Sequence, residues 1–223
     1  MFISKERREK MKNPITDISP RTAARTVGIA FIISFFFAIL VGDFLLPNFI
    51  VPGGDAAALA NDIEANESLF IMAVVGYLII LTLDTVIGLA LYVVLKPANR
   101  ILAFLSGSLR ILYVAFMVIG VFALAFQFID VYSYGTIKLI GYLFFTCHIL
   151  VTGYTVFRSG YIPRILGVLL MIAFISYILA FYVSFLVPKA ILIIFMLFMI
   201  IGELSLSLWL IFKGNKIPEE GKS

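Results

Sequence analysis

The 223-residue sequence has few charged residues, one cysteine and one histidine. Asp, Glu, Lys and Arg make up 13% of the chain, about half of the roughly 25% found in soluble globular proteins. So little charge cannot cover a water-facing domain of this size, which excludes a soluble enzyme, a disordered protein and a nucleic-acid-binding module. The single Cys147 excludes an intramolecular disulfide. One cysteine and one histidine are also too few for a zinc cluster or a di-histidine haem, so we expect no metal and no cofactor.

Long apolar segments dominate the chain instead. Hydrophobic residues make up 62% of the sequence and its mean hydropathy is +1.11. A membrane-spanning helix needs about 20 mostly apolar residues, and six segments reach that length. These spans, numbered one to six, lie at residues 27–46, 69–95, 101–127, 136–157, 165–187 and 190–212. We therefore predict an all-α, multi-pass transmembrane bundle of six helices, preceded by a basic arm at 1–26 and followed by a short tail at 213–223.

The distribution of basic residues predicts the orientation of the chain. Fourteen of the 17 Lys and Arg residues lie in the N-terminal arm, in the second-to-third and fourth-to-fifth connections, and in the tail. Lys138 and Lys189 lie at the opposite helix ends, and Arg110 lies inside span three. Because basic loops stay on the cytoplasmic side, we predict a plasma-membrane protein with both termini in the cytoplasm. The same residues would contact anionic lipid head groups of the bilayer there.

Two local patterns predict where helices begin. Ser19 followed by Pro20 is typical of a helix N-cap with proline at the first helical position, so the first helix would start before span one. The connection at residues 47–68 contains no Lys or Arg. Within it, Asp55 precedes an Ala-rich run and predicts a short helix capped by this residue.

Four ionisable residues lie inside the predicted spans: Asp84, Arg110, His148 and Glu203. A charged side chain at the bilayer centre costs roughly 2.5–3.5 kcal/mol on insertion scales, so each should point into the bundle. Each lies nine to eleven residues from the end of its span on the side of the termini. Ten residues correspond to about 15 Å, half the hydrocarbon thickness. We therefore predict that the four side chains meet near the bilayer midplane.

Polar neighbours at helical spacing support this predicted site. They are Ser106 and Tyr113 beside Arg110, Thr152 beside His148, Ser207 beside Glu203, and Tyr177 in span five at about the same level. Arg110 can neutralise one carboxylate. The second carboxylate would then be protonated or paired with a charged His148, because an isolated buried anion is too costly. The site would thus hold one exchangeable proton.

The pattern leaves three functions open. The first is binding or transport of a small polar or anionic solute, linked to a proton, in which Arg110 binds the anion and His148 carries the proton while Asp84 and Glu203 balance charge. Against transport, the sequence has no evident inverted repeat or pair of broken helices. The second is an intramembrane enzyme acting on a lipid-like substrate, with His148 and Glu203 as acid and base. The third is a non-catalytic membrane partner whose polar cluster only fixes helix order.

Several segments carry a resemblance to a known family. They are TAARTVG at 22–28, VPGGDAAA at 51–58, LYVVLKPANR at 91–100, GYTVFRSGYIPRILGVLL at 153–170 and GELSLSLWL at 202–210. Together they resemble the prokaryotic membrane family called domain of unknown function 4386, over about residues 20–213. The resemblance implies a multi-pass helical protein without an assigned activity, with Arg110, His148 and Glu203 as shared positions. The connection at 128–135 is shorter than is usual there, which implies a different ligand if that segment shapes a binding mouth in relatives.

Overall fold

The computed structural model describes residues 18–45, 49, 56–126, 128–129 and 131–218. Within these residues the chain forms seven α-helices and no strand. Their bounds are α1 Pro20–Ile39, α2 Ala56–Ala65, α3 Glu67–Leu95, α4 Arg100–Ala125, α5 Val131–Arg158, α6 Arg164–Phe181 and α7 Lys189–Lys213. All except the short α2 are long and apolar enough to cross a membrane. The predicted six-span, all-α fold is therefore confirmed.

The helix ends follow from local side-chain chemistry. The Ser19 hydroxyl accepts a hydrogen bond from the Thr22 amide at 3.1 Å, with Pro20 at the first helical position, as predicted. The short helix α2 lies in the predicted connection, but its expected cap, Asp55, and the basic arm at 1–17 fall outside the described residues. Helix α6 ends at Phe181 rather than near 187, because the chain makes a 3₁₀ turn at Ser184–Leu186 before Pro188.

The six long helices form a closed ring in chain order. Each packs against the next, and α1 closes the ring by packing against α7. The Tyr161 hydroxyl donates to the Val94 carbonyl oxygen at 2.7 Å, which joins the connection between α5 and α6 to the last turn of α3 on one face of the bundle. We call this face, where α1 begins and α7 ends, the terminal side, and the opposite face the distal side.

Glycines set the closest approaches between neighbouring helices. A Cβ atom at Gly167 of α6 would lie 2.6 Å from the Phe157 amide nitrogen and 2.7 Å from the Gly153 carbonyl oxygen, so α5 and α6 nearly touch there. A Cβ atom at Gly28 of α1 would lie 2.6 Å from the Ser207 carbonyl oxygen of α7. These contacts bring the backbones together on the terminal side and leave the space in the ring on the distal side.

Candidate functional site

Arg110 is the centre of a buried polar cluster. Its Nη2 donates to Asp84 Oδ1 at 2.5 Å, and its Nη1 donates to His148 Nε2 at 3.1 Å. The guanidinium carbon lies 5.3 Å from the centroid of the Phe145 ring. Asp84, Arg110 and His148 are 4%, 3% and 1% exposed. Three of the four predicted groups, from α3, α4 and α5, are therefore in direct contact.

Two glycines bring the charged partners together. A Cβ atom at Gly107 would lie 3.2 Å from the Gly88 carbonyl oxygen, so α3 and α4 are in close contact at this level. Asp84 lies one turn before Gly88, and Arg110 lies about one turn after Gly107. Because side chains three or four residues apart share a helix face, Asp84 and Arg110 face each other across this contact.

His148 is a neutral imidazole in this arrangement. A guanidinium has only donors, so His148 Nε2 accepts the bond from Arg110 and the ring proton lies on Nδ1. Nδ1 then donates to the Ser106 carbonyl oxygen at 2.8 Å. The Ser106 hydroxyl, 2.7 Å from the Thr152 hydroxyl, extends the network toward the terminal side. A charged His148, one of two ways considered above to balance the second carboxylate, does not fit this geometry.

Glu203 forms a separate contact. The Tyr177 hydroxyl donates to Glu203 Oε1 at 2.5 Å, and Glu203 is 8% exposed. Arg110 and Glu203 form no ion pair within 4 Å; the buried ion pair of Arg110 is with Asp84. Ser207 is buried, but among the described residues no hydrogen bond joins it to either group of polar side chains. The predicted residues are thus divided between a network centred on Arg110 and a Tyr177–Glu203 pair.

A cavity of about 280 Å³ connects these two groups. All six long helices line it, and its floor is formed by Asp84, Arg110 and Glu203. From there it extends along the distal half of the ring past Tyr113 to Lys138. His148 is not among the lining residues.

Lys138 is the important residue that the sequence reasoning placed wrongly. We expected it at a helix end, but α5 begins at Val131, so Lys138 lies two turns inside the helix and lines the cavity. Its ammonium lies 5.8 Å from the centroid of the Tyr142 ring, and it forms no ion pair among the described residues. The spacing of Lys138, Tyr142 and Phe145 by four and then three residues places them on one face of α5, which is the signal that could have identified it.

Three further observations define the chemistry of the site. Among the described residues, no group of three or more His, Cys, Asp or Glu side chains could hold a metal ion. Of the side-chain nitrogen and oxygen atoms in the same residues that neither solvent nor the cavity reaches, Arg110 Nε alone has no hydrogen-bond partner. Tyr77, Tyr113, Tyr142 and Tyr177 all line the cavity, so its walls combine aromatic faces with hydroxyl groups. The site can therefore enclose a small ligand with both apolar and polar groups.

Comparisons with known proteins agree with the resemblance found in the sequence. The family described as "Domain of unknown function (DUF4386)" matches residues 26–129 and 122–214. A protein of Archaeoglobus fulgidus with the name "Uncharacterized protein" is 30% identical over 149 residues, which cover 67% of this chain and 88% of the relative. No solved structure matches. The chain therefore belongs to the family of domain of unknown function 4386.

Proposed function

We propose that the protein binds a small solute carrying an anionic group in the distal cavity. The observation that carries this proposal is a set of unpaired polar groups: Lys138, Tyr113 and Ser34 line the cavity and have no hydrogen-bond or ion-pair partner among the described residues. Asp84 and Glu203, in contrast, each already accept a hydrogen bond. Donors without acceptors in a buried site favour a ligand that brings oxygen atoms and negative charge.

In this proposal Lys138 binds the anion, in place of Arg110. Arg110 is held between Asp84 and His148 and is 3% exposed, so its charge is already compensated. Lys138 has no carboxylate partner and can turn toward a ligand along its flexible stem. The volume of about 280 Å³ lies just below the usual range for ligand pockets, about 300–1,000 Å³, so the cavity suits a small head group.

Glu203 is the group we assign to proton exchange. It lines the cavity with Asp84, Arg110 and Tyr177, and Lys138 is the remaining cation there without a carboxylate partner. Because His148 is neutral, we assign the counter-charge of an ionised Glu203 to Lys138 in the same cavity, without direct contact between them. When an anion binds Lys138, Glu203 loses this counter-charge in a site of low polarity and should take up a proton. The proton carrier in this proposal is therefore Glu203, whereas the sequence predicted His148. If the bound anion also crosses the membrane, the same site would support proton-linked transport.

Replacing Lys138 with Met should weaken anion binding about tenfold or more, since the cavity loses its unpaired cation. The measurement is thermal stabilisation of the purified full chain by octanoate, succinate or inorganic phosphate, titrated one at a time. Lys213→Met, which removes the same charge at the exposed end of α7, is the matched control. The proposal fails if no anion stabilises the wild-type chain, or if both variants respond as the wild type does.

Replacing Glu203 with Gln should retain anion binding but abolish the linked proton uptake. Titration calorimetry in buffers of different ionisation enthalpy counts the protons, and we expect about one per bound anion for the wild type and about none for the variant. Equal proton uptake by the two proteins would contradict the assignment of Glu203.

The intramembrane-enzyme alternative has no observation in its favour, because His148 does not line the cavity and is 1% exposed. We further propose the plasma membrane as the location, with the terminal side in the cytoplasm and in contact with anionic lipid head groups. The supporting observation is the concentration of basic residues on that side, among them Arg21, Lys96, Arg158 and Lys213.

A further inference from the structure

The cavity wall between α1 and α7 differs from the rest of the ring. Ala38 of α1, and Gly42 in the π-helical segment Leu40–Leu45 that continues α1, line the cavity and are also exposed. On the α7 side of the same cavity, Met199 and Ile200 line it and are half-buried. A Cβ atom at Gly42 would have no atom from the rest of the bundle within 4 Å. The cavity is therefore open to the outside of the bundle at this position, which we call the lateral gap.

The lateral gap arises because α1 changes its neighbour along its length. On the terminal side α1 packs closely on α7, where a Cβ atom at Gly28 would lie 2.6 Å from the Ser207 carbonyl oxygen. On the distal side, the π-helical segment Leu40–Leu45 that continues α1 packs closely on α3, where a Cβ atom at Gly76 would lie 2.6 Å from Val41 Cγ2. Residues 190–201 of α7 include no buried residue. The distal half of α7 therefore has no close partner on the side that α1 leaves.

The lateral gap lies at a depth where the surroundings are hydrocarbon. Met199 and Ile200 lie three or four residues from Glu203, which is about 5–6 Å along the helix. Since half of a hydrocarbon layer is about 15 Å thick, a ligand passing through the gap moves between the cavity and the lipid chains. Lys138 lies ten residues on the distal side of His148, or about 15 Å along α5, near the depth of the distal head groups.

We propose that the ligand of the cavity is an amphiphile with an anionic head and a single apolar chain, which enters from the bilayer through the lateral gap. The inference rests on the proposed function, because the head is the anion bound by Lys138. The chain would lie between α1 and α7 against Phe35, Ala38 and Met199. An aliphatic carboxylate has this chemistry, with its charge at the level of Lys138 and its chain directed into the hydrocarbon.

A second copy of the protein is the competing occupant of the lateral gap. Its lipid-facing side chains could cover the exposed distal half of α7, but they would leave Lys138, Tyr113 and Ser34 without partners. An amphiphile covers the apolar edges and also supplies acceptors to these groups. Because the cavity is continuous with the lateral gap, one amphiphile can place its anionic head at Lys138 and its chain in the gap. This charge complementarity favours the amphiphile over a second copy.

The test is competition for radiolabelled palmitate on the full chain in nanodiscs of neutral lipid, with empty nanodiscs as the background. We expect saturable binding of the labelled palmitate. Butyrate and hexadecanol should each displace the label at least about tenfold less well than unlabelled palmitate does. Equal displacement by butyrate would overturn the amphiphile while leaving anion binding intact. Equal displacement by hexadecanol would overturn the anionic head. If neither palmitate nor butyrate binds, the amphiphile is overturned, and the proposed function falls with it only if succinate and inorganic phosphate also fail to stabilise the chain.

A bulky residue in the lateral gap tests the route. Gly42→Trp and Ala38→Phe should each weaken palmitate binding about tenfold and leave butyrate binding unchanged. Gly135→Trp is the matched control, since a Cβ atom at Gly135 of α5 also has no other atom within 4 Å. Palmitate binding unchanged in both gap variants, or a wild-type dimer that Gly42→Trp converts to a monomer, would overturn the inference. Before binding is measured, the thermal unfolding temperature of each variant is compared with that of the wild type, and only variants with an unchanged temperature are used.

Discussion

Replacing Arg110 with Met should lower the free energy of unfolding by about 3–5 kcal/mol, the cost of breaking a buried ion pair by removing one partner. Asp84 is 4% exposed and would keep its carboxylate in the bundle without a counter-charge. His148 Nε2 would also lose its donor. The measurement is reversible unfolding in mixed micelles of increasing SDS fraction, followed by the loss of helical circular dichroism.

The control is removal of both charges together. Asp84→Leu combined with Arg110→Met replaces the ion pair with apolar groups, and such exchanges are often neutral or stabilising. We therefore expect the double variant to recover most of the loss, with a coupling energy of about 3 kcal/mol between the two sites. If the free energy of unfolding of the single Arg110→Met variant is within about 1 kcal/mol of the wild-type value, Asp84 and Arg110 do not form a compensated buried pair.

The double variant also tests whether Asp84 and Arg110 only stabilise the fold or also bind the ligand. Lys138 and Glu203 lie apart from the Asp84–Arg110 ion pair, on α5 and α7. If the ion pair mainly fixes helix order, the double variant should still bind anions and take up the linked proton. If anion binding is lost in a stably folded double variant, the anion is bound by Arg110, as the sequence reasoning first suggested.

The sequence could predict how deep in the bilayer the ionisable side chains of the site lie. The cost of placing a charge in lipid restricts ionisable residues to the bundle interior, and counting residues along each span gives their level. This was sufficient to bring Asp84, Arg110 and His148 together. It could not predict that Glu203 would contact Tyr177 instead, because two residues at one level can lie at different positions around the ring, and composition does not encode that angle.

The ends of the helices were harder to predict for a physical reason. Hydropathy marks where a chain becomes apolar, whereas a helix continues as long as its backbone hydrogen bonds can form. Helix α5 starts at Val131, before the apolar run begins, and this difference placed Lys138 inside the cavity. The lateral gap was also beyond prediction, because apolar residues of α1 and α7 have the same composition whether they face lipid, a ligand or each other.

Replacing Gly167 with Val should be nearly as disruptive as loss of Arg110. The new Cβ would lie 2.6 Å from the Phe157 amide nitrogen and 2.8 Å from its Cα, and these backbone atoms of α5 cannot rotate away as a side chain would. The two helices must separate, which costs about 3 kcal/mol by analogy with overpacked cores. SDS unfolding of the variant should therefore begin at a clearly lower detergent fraction than that of the wild type.

Gly135→Val is the control for the effect of a β-branched residue on the helix itself. A Cβ atom at Gly135 has no other atom within 4 Å, so this variant should stay within about 1 kcal/mol of the wild type. Helix α5 carries Lys138 and α6 carries Tyr177, and both line the cavity. If α5 and α6 separate at Gly167, the Gly167→Val protein that remains folded should also bind anions more weakly than the wild type. Wild-type stability in both glycine variants would mean that α5 and α6 can move apart at Gly167 without cost, and that the cavity does not depend on their contact.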